Sequence, residues 1–383
     1  MTQKPRILFY FMHLLGVGHV HRAKRLIEGF HEAGILVDVI YGGEKIPSLQ
    51  LKADSIGYLS PIKSADNAYS SYLDEDGNPL TKGYQEKRKS ELLNIFEKLN
   101  PDAILIEAFP FGRRIIRHEM HAFLQAASLR SPRPIIVSSV RDILQERKKP
   151  QRIEETVGWI NSYFDKILVH SDPNIIELDA TFPSANQIKN KINYTGFVIP
   201  ENKTKPIGDD YDILVSAGGG AFGGSLMEMA LAAAHEASER QWSLVTGPNL
   251  EEEIYAKLHR NKPDNVTLKR HVENLSSHMQ HARISISQCG YNTAMDVLAA
   301  HHESACRAVF VPYDTEGQTE QLSRAQLLEN SGFAINLPQS KLTVKALLSA
   351  VKEAENLKSV EIPVDFDGVK NSARLLKQWL SNR

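Results

Sequence analysis

The sequence predicts an α/β fold built as two doubly wound, parallel-sheet lobes, and three observations carry that expectation. An apolar run, Tyr211-Asp212-Ile213-Leu214-Val215, ends in Ala217-Gly218-Gly219-Gly220-Ala221-Phe222-Gly223-Gly224-Ser225 and opens into a helical pattern over 226–237. A second unit of this kind opens the chain, where the strand-like run 6–11 leads through Gly16-Val17-Gly18-His19 into a helix from about Val20 to Ala33. After each, short β-rich apolar runs alternate with helical patterns, as in a parallel sheet covered on both faces. A strand that ends in glycines before a helix presents backbone N–H groups at the positive end of the helix dipole, where a phosphate can sit. Two such units about two hundred residues apart imply two lobes that face one anionic nucleotide derivative across a central cleft.

In the first series the apolar runs predict strands over 7–11, 37–41, 103–106, 135–140 and 166–170, with helices over 22–33, 84–99, 113–129 and 152–163. The stretch 52–82 breaks this rhythm with Asp74-Glu75-Asp76-Gly77-Asn78-Pro79 and reads as a long surface excursion near the ligand. Pro200 to Asp210 is polar, carries two prolines and has no periodicity, which marks it as an interdomain linker. The second series predicts strands over 212–216, 242–246, 266–269, 284–287, 308–311 and 333–336, and helices over 226–237, 250–258, 275–281, 291–300, 320–331 and 344–355. The expected organisation is a Rossmann-like domain over 1–200, a linker over 201–210, a second Rossmann-like domain over 211–363, and a terminal helix over 364–383 that packs back towards the first domain.

Composition narrows the class of function. A chain of 383 residues, 42% hydrophobic and 24% charged, exceeds what one core usually supports. A formal net charge of -1 provides no electrostatic footprint for general nucleic-acid binding. The only cysteines, Cys289 and Cys306, are too few for a disulfide framework or a cysteine zinc site and read as thiols of a reducing compartment. Lys4 and Arg6 before the apolar run 7–12 mimic a signal peptide, but His13, His19, His21 and Arg22 follow without a small-residue cleavage site, so a buried first strand is expected. With no run of roughly 18 apolar residues, the expected location is cytoplasmic, or peripheral on the inner face of the membrane.

The motif Ser287-Gln288-Cys289-Gly290-Tyr291-Asn292-Thr293-Ala294-Met295-Asp296, followed by Val309-Phe310-Val311-Pro312-Tyr313 and Glu320-Gln321, resembles the donor-binding half of GT-B glycosyltransferases, of the glycosyltransferase family 28 C-terminal type. The lipid-linked N-acetylglucosaminyltransferases of peptidoglycan synthesis share this pattern. The resemblance covers roughly 213–350 and the Gly16–His19 loop. Glu107-Ala108-Phe109-Pro110-Phe111-Gly112-Arg113-Arg114, Ser139-Val140-Arg141-Asp142 and Tyr194-Thr195-Gly196 are similar to a bacterial subgroup known only as predicted glycosyltransferases.

The resemblance implies a GT-B fold and transfer of a hexosyl group, N-acetylglucosaminyl among the candidates, from a UDP-sugar to a hydroxyl acceptor, with inversion and with no obligatory cofactor or metal. Donor contacts would come from Gly16, Gly18, Gly218, Gly219, Gly220 and Gly223 at the diphosphate, His271 and Val272 at the base, and Gly290, Asn292, Thr293 and Asp296 around the ribose. Glu320 and Gln321 would meet the sugar hydroxyls. Asp296 stands where the peptidoglycan enzymes carry glutamate, and His271 where they carry an aromatic residue, so the base stays open. His19 is the candidate general base, since an imidazole can take a hydroxyl proton near neutral pH when a carboxylate holds its tautomer. Glu107 and Asp142, each after a strand, are rival partners for it, and His13 and His21 read as loop or capping residues. Arg113, Arg114 and Arg117 share a helix start and, with Arg141, are candidates for holding an acidic acceptor, or else pair with surface carboxylates. The basic run 141–152 would suit anionic lipid headgroups, although a solvated basic helix is the plainer account.

The same residues admit other classes of function. Gly218 to Gly223 satisfies the dinucleotide fingerprint of an NAD(P)-dependent oxidoreductase, but the next predicted strand ends in Gly247-Pro248 rather than in an acidic residue for the ribose. A nucleotide-sugar epimerase shares the two-lobed scaffold, and a non-catalytic nucleotide-sugar-binding protein needs only the donor half. The acceptor, whether glycan, lipid-linked or small molecule, and the oligomeric state stay open.

Overall fold

The computed structural model describes all residues except 1–3, 15–17, 47–48, 66–70, 145–149, 200–210, 218–222, 248–249, 273, 305, 315–318, 359–363 and 383, and the side chains of 302 and 303. The expected linker 201–210 therefore lies outside the described residues. The chain divides into two compact units, one formed by Met1–Val198 with Asp365–Arg383 and the other by Ile199–Val364.

In the first unit, strands β1 (Arg6–Phe11), β2 (Leu36–Tyr41) and β3 (Ser55–Tyr58) are followed by the short pair β4 (Lys63–Ser64) and β5 (Tyr72–Leu73), and then by β6 (Ala103–Glu107), β7 (Ile135–Arg141), β8 (Lys166–His170) and β9 (Ile192–Tyr194). Helices α1 (Gly18–Glu32), α2 (Lys82–Glu97), α3 (Arg117–Ser128) and α4 (Pro150–Tyr163) alternate with them. Seven strands form one parallel sheet in the order β3-β2-β1-β6-β7-β8-β9.

The second unit holds β10 (Tyr211–Ser216), β11 (Trp242–Val245), β12 (Val266–Lys269), β13 (Ala282–Ser287), β14 (Arg307–Phe310) and β15 (Ala334–Asn336). Between them run α5 (Gly224–Glu236), α6 (Glu252–Asn261), α7 (Leu275–Gln280), α8 (Tyr291–Ser304), α9 (Glu320–Asn330) and α10 (Val344–Glu355). These strands also form a parallel sheet, in the order β12-β11-β10-β13-β14-β15. The last helix, α11 (Gly368–Ser381), belongs to the first unit.

Alternation of side chains along each strand sorts the first unit into two cores. Leu8, Tyr10, Ile104, Ile106 and Ile136 pack against α2, α3 and α4, while Ile7, Phe9, Phe11, Val37, Val39 and Leu105 pack against Val20, Leu26, Ile27 and Phe30 of α1 and Ala373 and Leu376 of α11. Each side chain of that size contributes about 1.5–3 kcal/mol by leaving water. One polar cluster interrupts the first core: Arg88 Nε and Nη2 each reach the Glu119 carboxylate at 2.8 Å, and Tyr10 donates to Glu119 at 2.7 Å. In the second unit Ile213, Val215, Leu244, Ile284, Ile286 and Val309 face α5 and α10.

The expectation that 52–82 is a surface excursion needs correction. Ser55–Tyr58 pairs in parallel with β2, and Lys63–Ser64 pairs antiparallel with Tyr72–Leu73. Ser-Ile-Gly-Tyr carries no apolar run because β3 is an edge strand, half exposed, whose conformation is imposed by β2. The Asp74–Asn78 turn does form, with Asp74 Oδ1 accepting from the amides of Asp76 and Asn78.

Return of the chain to the first unit depends on Gly196. It sits at φ +80, and a Cβ there would lie 2.6 Å from the Asp365 carbonyl oxygen, while one on Gly368 would lie 2.6 Å from the Gly196 oxygen. Gly34 has a similar φ of +77 but open space around it. Gly34→Ala should therefore lower stability by about 1–2 kcal/mol, the conformational penalty alone. Gly196→Ala should lower it by more, and equal urea midpoints for the two variants would contradict the close contact.

Candidate active site

Each sheet has a gap where the direction of winding reverses. From β1 the chain winds outward to β2 and β3 and then crosses to β6 on the other side of β1, and β10, β11, β12 and β13 repeat this order. Connections diverge at the C-terminal ends of such neighbouring strands, and open α/β sheets bind ligands there.

At the first gap, α1 begins at Gly18 and carries His19 in its opening turn, while Glu107 closes β6. His19 Nδ1 and Glu107 Oε1 are 2.6 Å apart, and Arg22 Nη2 reaches the same oxygen at 2.5 Å. Since an ionised carboxylate can only accept, the proton between them sits on Nδ1, and Nε2 carries the free lone pair. Glu107 and Arg22 are buried, whereas the His19 side chain keeps 21% of its exposure. Burial alone would raise the Glu107 carboxyl, but His19, Arg22 and Arg113 outweigh it and bring it down to about 2. The His19 imidazolium is disfavoured by burial and, against the pull of Glu107, by Arg113 and Arg141, so its pKa falls to about 4.

Of the two rival carboxylates, the structure brings Glu107 to His19. Asp142 is buried one residue beyond β7, where Oδ1 accepts the Ile143 amide at 2.7 Å. His13 is buried too, its Nδ1 2.6 Å from the Tyr41 hydroxyl. The arginines separate by partner. Arg114 and Arg117 both meet Glu155 on α4, Arg117 at 3.6 Å. Arg141 Nε donates to the Ile143 carbonyl at 3.1 Å, and Arg113 Nη2 to the Met12 carbonyl at 3.2 Å. The helix expected from 113 starts later, because Arg113 is left-handed at φ +56 and a 3-10 turn over Arg114–Ile116 precedes α3.

Sequence reasoning passed over Arg22. It lies four residues before Leu26 on the buried stripe of α1, and a charge in phase with an apolar stripe is the signal that could have found it. A second polar set was also missed. His170, fully buried at the end of β8, contacts the hydroxyl of Ser139 at 2.8 Å and that of Thr195 at 2.9 Å. Burial, then the charge of Arg22, hold this imidazole well below its usual range, so it stays neutral.

At the second gap, Gly223 caps α5, and a Cβ on it would lie 2.2 Å from that of Ala217, so the chain doubles back on β10 too tightly for any side chain at 223. Gly16 and Gly218, Gly219 and Gly220 lie outside the described residues. Ser216 and Ser287 end β10 and β13 in register, and their buried hydroxyls have no hydrogen-bond partner among the described residues. Gly290 precedes α8, on which Asn292, Thr293 and Asp296 are half-buried, and 292 and 296 share a face. His271 is exposed and Val272 half-buried between β12 and α7.

Glu320 and Gln321 open α9, where Gln321 Oε1 accepts the Tyr313 amide at 3.3 Å. Glu320 Oε1 lies 2.9 Å from Nη2 of Arg324, a fully buried arginine whose Nη1 donates to the Cys289 carbonyl at 2.8 Å. Arg324 thus ties Glu320 to the turn before Gly290. Its place four residues before Leu328 in the buried stripe of α9 was the legible signal.

The His19–Glu107 pair makes stability depend on pH in a defined direction. Between the ordinary histidine value of 6.5 and about 4, the unfolded chain binds a proton at His19 that the folded chain does not, so stability falls as pH drops through that window. Glu107 extends the loss from 4.5 to about 2. His19→Gln should flatten the upper part of the slope in urea midpoints measured from pH 7 to 4, and an unchanged slope would contradict a His19 held neutral in the folded protein.

Residues 213–365 match the glycosyltransferase family 28 C-terminal domain. Over 198 residues the chain is 23% identical to the UDP-N-acetylglucosamine--N-acetylmuramyl-(pentapeptide) pyrophosphoryl-undecaprenol N-acetylglucosamine transferase of Thermotoga neapolitana, covering 49% of this chain and 52% of that protein. The chain therefore spans about half the length of the curated relative it matches. Among solved structures, the glycotransferase of kitacinnamycin aligns over 99% of this chain and 100% of its own, with a TM-score of 0.66 at 14% identity. MurG of Acinetobacter baumannii aligns over 98% and 100%, with a TM-score of 0.61 at 18% identity. The calicheamicin glycosyltransferase CalG4 aligns over 98% and 95%, with a TM-score of 0.63 at 15% identity. At these identities the likeness is one of fold, and it is the GT-B fold expected from the motifs. The chain carries a glycosyltransferase family 28 C-terminal domain in a protein of two parallel-sheet α/β units.

Proposed function

We propose that the protein is a glycosyltransferase that moves a hexosyl group, with N-acetylglucosamine as the first candidate, from a UDP-sugar to a hydroxyl acceptor with inversion. The observation that carries this reading is the His19–Glu107 pair at the first switch point, in a chain whose second unit has the family 28 domain. His19 Nε2 takes the acceptor proton while Glu107 holds Nδ1–H and stabilises the imidazolium that forms. The acceptor oxygen bonds to the anomeric carbon, the bond from that carbon to the donor's β-phosphate oxygen breaks, and its electron pair leaves with UDP. A donor diphosphate bound at the N-terminus of α5 would be stabilised by the helix dipole as it leaves, which supports a mechanism with no obligatory metal. Asp296 accepts the ribose hydroxyls, Asn292 and Thr293 border them, and Glu320 and Gln321 meet the sugar, with Arg324 fixing the Glu320 carboxylate.

Thermal-shift screening of nucleotide sugars, then mass spectrometry of the products, tests the reading. Transfer yields UDP and a glycosylated acceptor, whereas a donor returned at unchanged mass with one inverted hydroxyl would make the protein an epimerase. Asp296→Ala should weaken UDP binding about tenfold or more, the loss expected for hydrogen bonds to a charged group. His19→Ala should lower turnover about 100-fold or more while sparing UDP affinity, and retained turnover would remove His19 from the mechanism.

A further inference from the structure

Arg113 stands apart from the arginines near it. Arg22 is held by Glu107 and Arg114 by Glu155, but Arg113 has no carboxylate partner among the described residues. Its one described hydrogen bond is to the Met12 carbonyl, and its Nε is buried without a partner among those residues. Arg113 is half-buried, so its Nε is shielded from water while the rest of the guanidinium keeps access to solvent and is not paired by a hydrogen bond to any carboxylate among those residues. The backbone also holds it there under strain: Arg113 at φ +56 and Ala108 at φ +62 are both left-handed, a region that side-chain-bearing residues seldom occupy.

The position is specific. Met12 directly follows β1 and Glu107 ends β6, so a side chain that runs from residue 113 to the Met12 carbonyl crosses the same gap as the His19–Glu107 pair. We propose that Arg113 binds an oxyanion carried by the acceptor, a phosphate or a carboxylate close to the reacting hydroxyl. This rests on the reading of His19 as the base of a glycosyl transfer, and deepens it by naming the acceptor's class. Arginine suits the role because its planar fork matches both oxyanions and it stays charged at every working pH.

A chemical consequence follows for His19. The charged groups acting on it are Glu107 from β6, Arg22 from its own helix, Arg113, and Arg141 from β7. Arg113 opposes protonation of the imidazole, so an anion seated on Arg113 cancels that opposition and makes His19 a stronger base. An acidic acceptor thus prepares the group that deprotonates it, and a neutral alcohol does not.

The test uses the full-length chain with glycerol, glycerate and sn-glycerol 3-phosphate as probes on one carbon skeleton, and phosphatidylglycerol against phosphatidylcholine vesicles for a lipid-borne phosphate. Arg113→Gly, which suits the left-handed backbone, and Arg113→Lys are the variants. Wild type should bind at least one anionic probe and not glycerol. Arg113→Gly should weaken that binding at least tenfold with UDP affinity unchanged, and Arg113→Lys should weaken it less. Binding of phosphatidylglycerol vesicles, but not phosphatidylcholine, that is lost in Arg113→Gly would assign the anion to a lipid. By NMR, the anionic probe should move the His19 midpoint upward in wild type and leave it in place in Arg113→Gly. Equal anion binding by wild type and Arg113→Gly, binding of no anionic probe or vesicle, or an unmoved His19 midpoint would overturn the proposal. If Arg113-dependent anion binding held but no nucleotide sugar released UDP with any acceptor, the transferase reading would fail, and the anion site would not be an acceptor site.

Discussion

The Glu107 carboxylate is buried, and an isolated charge in that position would protonate rather than persist. It remains ionised because Arg22 and His19 both reach one of its oxygens, at 2.5 and 2.6 Å. Much of the first unit serves that arrangement. Glu107 must end β6 and β6 must lie beside β1, while α1 must start close enough to β1 to bring residues 19 and 22 over the strand ends. The apolar stripe of α1 holds Arg22 in place, since Val20, Ala23, Leu26 and Ile27 bury the same face against Ile7, Phe9 and Phe11. One charge cluster thereby couples the packing of a helix to the proton affinity of an imidazole.

The two units solve a similar problem with different chemistry. Both leave a gap beside their first strand, and both hold a buried arginine there that bonds a glutamate, Arg22 with Glu107 and Arg324 with Glu320. In the first unit the arginine stabilises a carboxylate that orients a histidine. In the second it also bonds the Cys289 carbonyl, so it fixes a backbone turn and a helix start together. Removing either arginine would strand a partner and cost about 3–5 kcal/mol, which marks these charges as the rigid part of each site. The buried serines ending β10 and β13 belong to this division as well, because small side chains there leave room at the strand ends where a bulky residue would close the gap.

Electrostatics at the first gap favour a neutral histidine. Burial, Arg113 and Arg141 act in one direction and Glu107 in the other, and the balance keeps the imidazole unprotonated through neutral pH. As the base of the proposed transfer, an imidazole of such low affinity would be available but weak, because efficient proton transfer wants a pKa near the working pH. Charge brought in by the proposed acceptor anion would shift that balance, so that the state of His19 would be a property of the occupied site more than of the free protein.

Much of this protein was legible along the chain. The central strands of both sheets fall close to their apolar runs, because a parallel strand buried on both faces must be apolar without alternation, whereas the edge strands β3 and β9 of the first sheet were not marked by one. The order of glycine turn, helix and strand end also marked His19 and Glu107, since one opens the helix after the glycine turn and the other closes a strand. What the chain could not disclose are relations that exist only across the fold. Ser55–Tyr58 becomes a strand through β2, and Arg22 meets a carboxylate 85 positions away. His170 takes partners from two other strand ends, at Ser139 and Thr195. Local pattern decides which segments bury themselves, because burial is repaid residue by residue. The pairing of charges is decided by the order of strands in the sheet, because a counter-charge is effective only within a few ångströms and sequence distance carries no information about that separation.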